Sequence, residues 1–197
     1  MGCGMGLIDF VLSPFIQSIT CVDQNPAALC YLEGMARART VGNIKTICTD
    51  ARDVQGHWDH ILMVFYGRMD EHIERHFPQC EESIIAVVHA DAREWLEDEA
   101  DHPRKCNTVA NTAGILKARN VRYTLIEDAI EYGQPFESRE EAAVFAEVYV
   151  KCPPSMTMDA YLDKSLTHIN HPKYPLYLPN LKRFGVFIIR REDNAHI

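Results

Sequence analysis

Short apolar runs alternate with amphipathic stretches through the first 130 residues of the chain. Runs typical of buried strands occupy residues 18–22, 43–48, 60–65, 83–88 and 121–126. Stretches with helical spacing occupy residues 6–13, 26–40, 69–77 and 107–119. Strands that pair in parallel need crossover helices, which cover both faces of the sheet. The pattern therefore predicts an α/β fold, a three-layer αβα sandwich around a mostly parallel sheet.

Capping residues sharpen these boundaries. Pro14 is expected to end or kink the first helix, and Asn25 is a plausible N-cap ahead of Pro26. Ser138 followed three residues later by Glu141 is a capping box, which predicts another helix start.

The last third of the chain is less regular. We predict a helix within residues 156–168, a rigid aromatic loop over 169–180 and a closing strand over 183–190. Residues 134–174 are interpreted as an insertion before that last strand, within a single domain that spans residues 1–197.

Composition restricts the possible partners. The 197 residues carry a formal net charge of -8, which argues against general nucleic-acid binding and favours small molecules. No apolar run approaches the ~20 residues that cross a membrane. The cysteines are odd in number and contain no CxxC pair, so a reducing cytoplasm is predicted. They are Cys3, Cys21, Cys30, Cys48, Cys80, Cys106 and Cys152.

The candidate chemistry begins with the glycine loop Gly2-Cys3-Gly4-Met5-Gly6. Bare backbone of this kind lets a ligand approach closely. Asp23, at the end of the next strand, could accept hydrogen bonds from two ribose hydroxyls. Asp50, one strand later, could accept from the amine of adenine, with the backbone of Ala51 at the ring.

Each of these signals is weak alone, because a glycine cluster can be a turn and an aspartate can be a helix cap. Their order, each at a strand end, favours a nucleoside site. The dinucleotide fingerprint is GxGxxG, whereas this loop is GxGxG. That spacing disfavours an NAD-dependent oxidoreductase, which remains the third alternative.

The segments GCGMG, ITCVDQNPAAL, ICTDARDV and WDHILMVFYG together resemble the successive motifs of class I S-adenosylmethionine (SAM) dependent methyltransferases. EYGQPFESREEA and RFGVFIIRR are similar to the closing region of that family. The resemblance implies a seven-stranded Rossmann-like sheet with one antiparallel strand near the C-terminus, and SAM as the cofactor. It also implies that the glycine loop passes the methionine part of SAM. Residues 64–66 would lie beside the reacting methyl group. The implied cofactor-binding set is Gly2, Cys3, Gly4, Gly6, Asp23, Gln24, Asp50, Ala51, Val64 and Tyr66.

Members of that family carry an apolar strand ending in an acidic residue directly before the loop. This sequence has neither, so we expect that the N-terminal part of the domain is missing. Two sheet edges would then be exposed in the middle of the core, and the loop would be unanchored.

The acceptor is predicted to be a small or unidentified molecule, and no residue is compelled to be a catalytic base, because the sulfonium donor needs mainly alignment. The alternative is a SAM- or nucleoside-binding module without chemistry. Tyr174, Tyr177 and Phe184 are hypothesised to form a lid over the acceptor. We predict no metal site: the group Asp163, His168 and His171, and the histidines of residues 69–77, are interpreted as solvated.

Overall fold

The computed structural model describes residues 1–91, 107–150 and 152–197. Cys106 lies outside the described residues. The chain divides into two compact units. Unit 1 comprises Met1–Val88, Asn111–Ile126 and Val186–Ile197, and unit 2 comprises His89–Ala110 and Glu127–Gly185.

The described helices are α1 (Leu7–Leu12), α2 (Pro26–Ala38), α3 (Met69–Arg75), α4 (Val109–Ala118), α5 (Arg139–Tyr149) and α6 (Met158–Ser165). The described strands are β1 (Ile19–Asp23), β2 (Ile44–Cys48), β3 (Trp58–Val64), β4 (Cys80–His89), β5 (Thr124–Glu131), β6 (Gln134–Phe136), β7 (Thr167–His168), β8 (Leu176–Leu178) and β9 (Leu181–Arg190). None of the described helices is long and apolar enough to cross a membrane.

Strands and helices alternate through the first half of the chain, as the hydrophobic pattern predicts. β1 pairs in parallel with β2, and β3 pairs in parallel with β4. β3 and β4 belong to a sheet of order β3-β4-β9-β5. β9 runs antiparallel to β4, since Arg191 N–H donates to Glu82 O and Ala90 N–H donates to Arg183 O. The α/β class with a mostly parallel sheet and one antiparallel strand near the C-terminus is confirmed.

The β1–β2 ladder and the β3–β4 ladder are separate sheets within the described residues. This agrees with the expectation of two unpaired edges. The expected loss of loop anchoring is wrong, however. Cys3 N–H donates to Val22 O of β1 at 3.1 Å, and the amino group of Met1 donates to Leu62 O of β3 at 2.9 Å.

Local signals start the helices where the sequence predicts. The Asn25 side chain accepts from Ala27 N–H at 3.0 Å and caps α2. α2 then buries an apolar stripe of Leu29, Leu32 and Ala36. Pro14 ends α1 as expected, within a 3₁₀ turn over Ser13–Phe15.

Unit 2 corrects the prediction of a loop over residues 169–180, whereas the helices predicted after Ser138 and within residues 156–168 are present as α5 and α6. It holds α5, α6 and the antiparallel sheet β6-β8-β7, and β8 lies inside the segment expected to be a loop. Ser138 caps α5 by accepting from Glu141 N–H at 3.2 Å, as the capping box predicts. A buried apolar cluster joins these elements. Its members are Phe136, Ala142, Ala146, Leu162 and Leu178.

Candidate functional site

The three glycines of the loop all have left-handed backbone, with φ of 64° at Gly2, 54° at Gly4 and 75° at Gly6. A Cβ at Gly2 would lie 2.4 Å from the Tyr66 ring, and a Cβ at Gly6 would lie 2.6 Å from Leu32. A Cβ at Gly4 would meet no described atom within 4 Å. The outer two glycines are therefore needed for packing, whereas Gly4 faces open space where a ligand could approach.

Asp23 fixes this loop to the end of β1. One carboxylate oxygen accepts from Gly4 N–H at 2.8 Å, and the other accepts from Asn25 N–H at 2.9 Å. Hydrogen bonds to a carboxylate are stronger than those between neutral groups. Each oxygen keeps a second lone pair, so Asp23 can hold the loop and still accept from a ligand hydroxyl.

Asp50 has a nearer partner than a ligand. Its carboxylate accepts from the guanidinium of Arg52 at 2.5 Å and from Arg52 N–H at 2.9 Å. This hydrogen-bonded guanidinium lowers the pKa of Asp50 to about 2. An adenine amine would have to share the Asp50 carboxylate with Arg52.

Cys3 is half-buried in the loop, and its thiol donates to Gly4 O at 3.7 Å, whereas Cys21 of β1 is buried. The hydrogen bond from Cys21 lowers the pKa of Cys3, and the same bond raises the pKa of Cys21. Both are free thiols.

A cavity of about 220 Å³ lies at the carboxyl ends of β2 and β3. Four of the residues predicted for the cofactor line it: Gln24, Asp50, Ala51 and Tyr66. Gly2 borders it through its contact with the Tyr66 ring. The other five predicted residues, Cys3, Gly4, Gly6, Asp23 and Val64, are not among its lining residues. Gly6 is the N-cap of α1, and Val64 pairs with Val87 in the sheet.

The sequence interpretation missed six further lining residues. One is Gly67, and the other five have polar side chains: Arg52, Glu71, His72, Arg75 and His76. His72 and His76 were expected on a solvated face, and this is wrong, because they are 2% and 3% exposed. The signal was present, since Met69, Ile73 and Phe77 are buried beside them at helical spacing. The acidic residues between them masked this stripe.

The buried histidines are constrained by their surroundings. His72 Nε2 lies 3.0 Å from Tyr66 O, and because a carbonyl only accepts, Nε2 carries the proton. The Nδ1 atoms of His72 and His76 have no hydrogen-bond partner among the described residues. Burial lowers the pKa of His72 and lowers that of His76 to about 4. Both rings are therefore neutral near pH 7.

Solved structures share this arrangement of strands and helices. The YcgJ protein of Bacillus subtilis aligns with a TM-score of 0.56 and 12% identity, over 94% of this chain and 88% of that chain. The precorrin-6y C5,15-methyltransferase of Geobacter metallireducens GS-15 aligns with a TM-score of 0.55 and 10% identity, over 95% and 75%. The magnesium protoporphyrin IX methyltransferase of Synechocystis PCC 6803, with bound SAH, aligns with a TM-score of 0.55 and 9% identity, over 96% and 71%.

The chain has the class I methyltransferase fold. No protein-family model and no curated protein matches the sequence. The methyltransferase fold predicted from the ordered motifs is confirmed by the solved structures. Identities of 9–12% establish a shared fold but not a shared substrate or activity. The assignment of individual residues to the cofactor therefore stays a prediction, because a shared fold does not identify a binding site.

We expect the buried histidines to make the fold sensitive to acid. The unfolded chain takes up a proton at His76 near pH 6.5, whereas the folded chain does so only near pH 4. The contribution of neutral His76 to the free energy of unfolding should be at its full value above pH 6.5. It should fall by up to about 3 kcal/mol between pH 6.5 and 4, and change little below pH 4. The charges on the Met1 amino group and Arg75, and on His72 once its ring is protonated, also lower the pKa of His76, and Glu71 opposes them.

Urea unfolding at a series of pH values checks this expectation. His76→Leu should flatten the slope between pH 6.5 and 4, leaving the smaller contribution of His72. His168→Asn, at an exposed histidine of β7, should leave the slope unchanged. Equal slopes in His76→Leu and wild type would contradict the assignment.

Proposed function

We propose that this chain is a SAM-dependent methyltransferase that acts on a small-molecule acceptor. The observation that carries the proposal is the hydrogen bond from Gly4 N–H to the carboxylate of Asp23, the chain neighbour of Gln24, which lines the cavity. This hydrogen bond joins the glycine loop to Asp23, in a chain that has the fold of solved methyltransferases. The NAD-dependent alternative lacks such support, because the loop spacing does not suit a pyrophosphate.

The described residues fit the parts of the cofactor. Gly4, with open space at its Cα, would pass the methionine part. Asp23 and Gln24 would accept and donate at the ribose, and Asp50 and Ala51 would meet the adenine. When bound, SAM supplies an electrophilic methyl group on a sulfonium. The work of this chain is then to hold the acceptor in line and to exclude water.

The charge of the chain supports a small acceptor. The net charge of -8 disfavours a nucleic-acid acceptor. The described cysteines are free thiols, which supports the cytoplasmic location that the sequence predicts.

One observation favours a second candidate, a nucleoside-binding module without chemistry. The Asp50 carboxylate, which should receive adenine, already accepts from both the backbone and the guanidinium of Arg52. A protein with this pairing could bind the nucleoside weakly and turn nothing over. Cofactor binding without methyl transfer over a broad panel of acceptors would favour this candidate.

Isothermal calorimetry with SAM, with its demethylated product S-adenosylhomocysteine (SAH) and with NAD⁺ tests the proposal. We expect micromolar affinity for SAM and SAH and no heat with NAD⁺. A folded protein that binds neither SAM nor SAH at millimolar concentration would refute both the methyltransferase and the SAM-binding module. Preferential binding of NAD⁺ would support the oxidoreductase instead.

A further inference from the structure

The turn that follows β3 has unusual backbone. Phe65 has φ of 51°, although it is not glycine, and Gly67 has φ of 60°. A left-handed non-glycine residue costs about 1–2 kcal/mol. Such a conformation persists only when neighbouring contacts fix it. One of these contacts is Phe65 N–H, which donates to Val87 O at 2.8 Å.

His72 of α3 supplies a second contact to the same turn. Its Nε2–H donates to Tyr66 O at 3.0 Å, and its ring stacks on the Tyr66 ring, with centroids 6.2 Å apart and an interplanar angle of 25°. Gly67 lets the His72 ring come this close, because a Cβ there would lie 2.3 Å from the imidazole. His72 thus contacts both the backbone and the ring of Tyr66.

The contacts continue to the glycine loop. The Tyr66 ring packs on Gly2, where a Cβ would fall 2.4 Å from the ring. Tyr66 also lines the cavity together with Gln24 and Asp50. A shift of His72 would therefore move the wall of the cavity and the start of the loop.

The chemistry of position 72 supports a specific role over general packing. His72 is 2% exposed, and its Nδ1 has no partner among the described residues, which carries a desolvation cost. A leucine would fill similar space without that cost. What leucine cannot supply is the Nε2–H bond to the Tyr66 carbonyl.

We propose that His72 is a positioning residue, which holds Tyr66 against Gly2 and so shapes the cavity for the cofactor and its acceptor. This inference rests on the proposed function for its consequence in SAM binding. The placement of Tyr66 itself does not depend on that function.

The test compares His72→Leu, which removes the donor, with His72→Gln, which keeps a side-chain N–H near the same place. His76→Leu is the matched control. This equally buried residue is the C-cap of α3 and lines the cavity, whereas the described side-chain hydrogen bond to Tyr66 O comes from His72. Tyr66 is observed in the free protein by NMR of ¹³C-labelled tyrosine, with the signals assigned from Tyr66→Phe. SAH affinity is measured by calorimetry.

We expect the Tyr66 ring signals of His72→Leu to move toward those of an unconstrained tyrosine, and the Kd for SAH to rise about tenfold. His72→Gln should restore both. His76→Leu should leave the Tyr66 signals in place, even where it lowers the unfolding temperature. Should His72→Leu not fold, Gly67→Ala provides a second route, because the added methyl displaces the His72 ring.

Unchanged Tyr66 signals in His72→Leu, or equal shifts in His76→Leu, would overturn the positioning role. Displaced Tyr66 signals with unchanged SAH affinity would overturn its consequence for the cavity while the proposed function stands. Absence of SAH binding by the wild type refutes the proposed function instead, and the Tyr66 signals still decide what His72 holds.

Discussion

Replacing Asp23 by alanine is expected to weaken SAM and SAH binding about 100-fold and to lower the free energy of unfolding by about 2 kcal/mol. The carboxylate holds Gly4 N–H at 2.8 Å and Asn25 N–H at 2.9 Å, and alanine removes both bonds. Under the proposed function, it also removes the acceptors for the ribose hydroxyls. Calorimetry with both ligands and urea unfolding measure the two effects.

Asp59→Ala is the matched control for this experiment. Asp59 is an exposed aspartate of β3, and its carboxylate accepts no described hydrogen bond. Its loss should change neither the affinity nor the free energy of unfolding appreciably. SAM affinity retained in Asp23→Ala would remove Asp23 from the site, whereas a fall in stability alone would leave it as a loop anchor only.

The second large effect is expected from Gly6→Ala, which should lower the free energy of unfolding by about 3 kcal/mol. Gly6 has φ of 75°, a conformation that alanine adopts only with strain. The new methyl group would also lie 2.6 Å from Leu32, which is fully buried in α2. Strain and overpacking add at this position. Urea unfolding followed by circular dichroism measures the loss.

Gly34→Ala serves as the opposite case. Gly34 lies within α2, and an added Cβ there meets no described atom within 4 Å. Alanine should raise the free energy of unfolding by about 0.5–1 kcal/mol, through its higher helix propensity. A loss in Gly6→Ala no larger than the usual effect of a surface substitution would contradict the packing seen at Leu32.

Strand and helix order was predictable because it depends on local periodicity. The apolar runs at 43–48 and 60–65 give β2 and β3 to within a few residues, and Asn25 caps α2 as its side chain dictates. The end of β3 was less predictable. Phe65 continues the apolar run, yet its φ of 51° ends the strand at Val64. That conformation is fixed by contacts with distant residues rather than by the residue type.

The α3 histidines show the same limit within the candidate site. Their spacing placed them on the apolar stripe of the helix, but acidic neighbours made a solvated face the simpler interpretation. The two interpretations are distinguished only by tertiary packing, in which His72 lies against Tyr66 and Gly67 and His76 lies against His72. Likewise, the irregular composition of residues 134–174 hid the cluster around Phe136 and Leu162, whose contacts join segments far apart in the chain.

The sequence by itself determined the α/β class and the order of the elements, and it predicted three corners of a nucleoside site, because periodicity and motif spacing are local properties. The tertiary structure decided how those corners are used. Asp23 anchors the loop, Asp50 is paired with Arg52, and His72 holds Tyr66 against Gly2. Each of these contacts depends on which side chains the folded strands and α3 bring within hydrogen-bond distance, and spacing along the chain does not encode that distance.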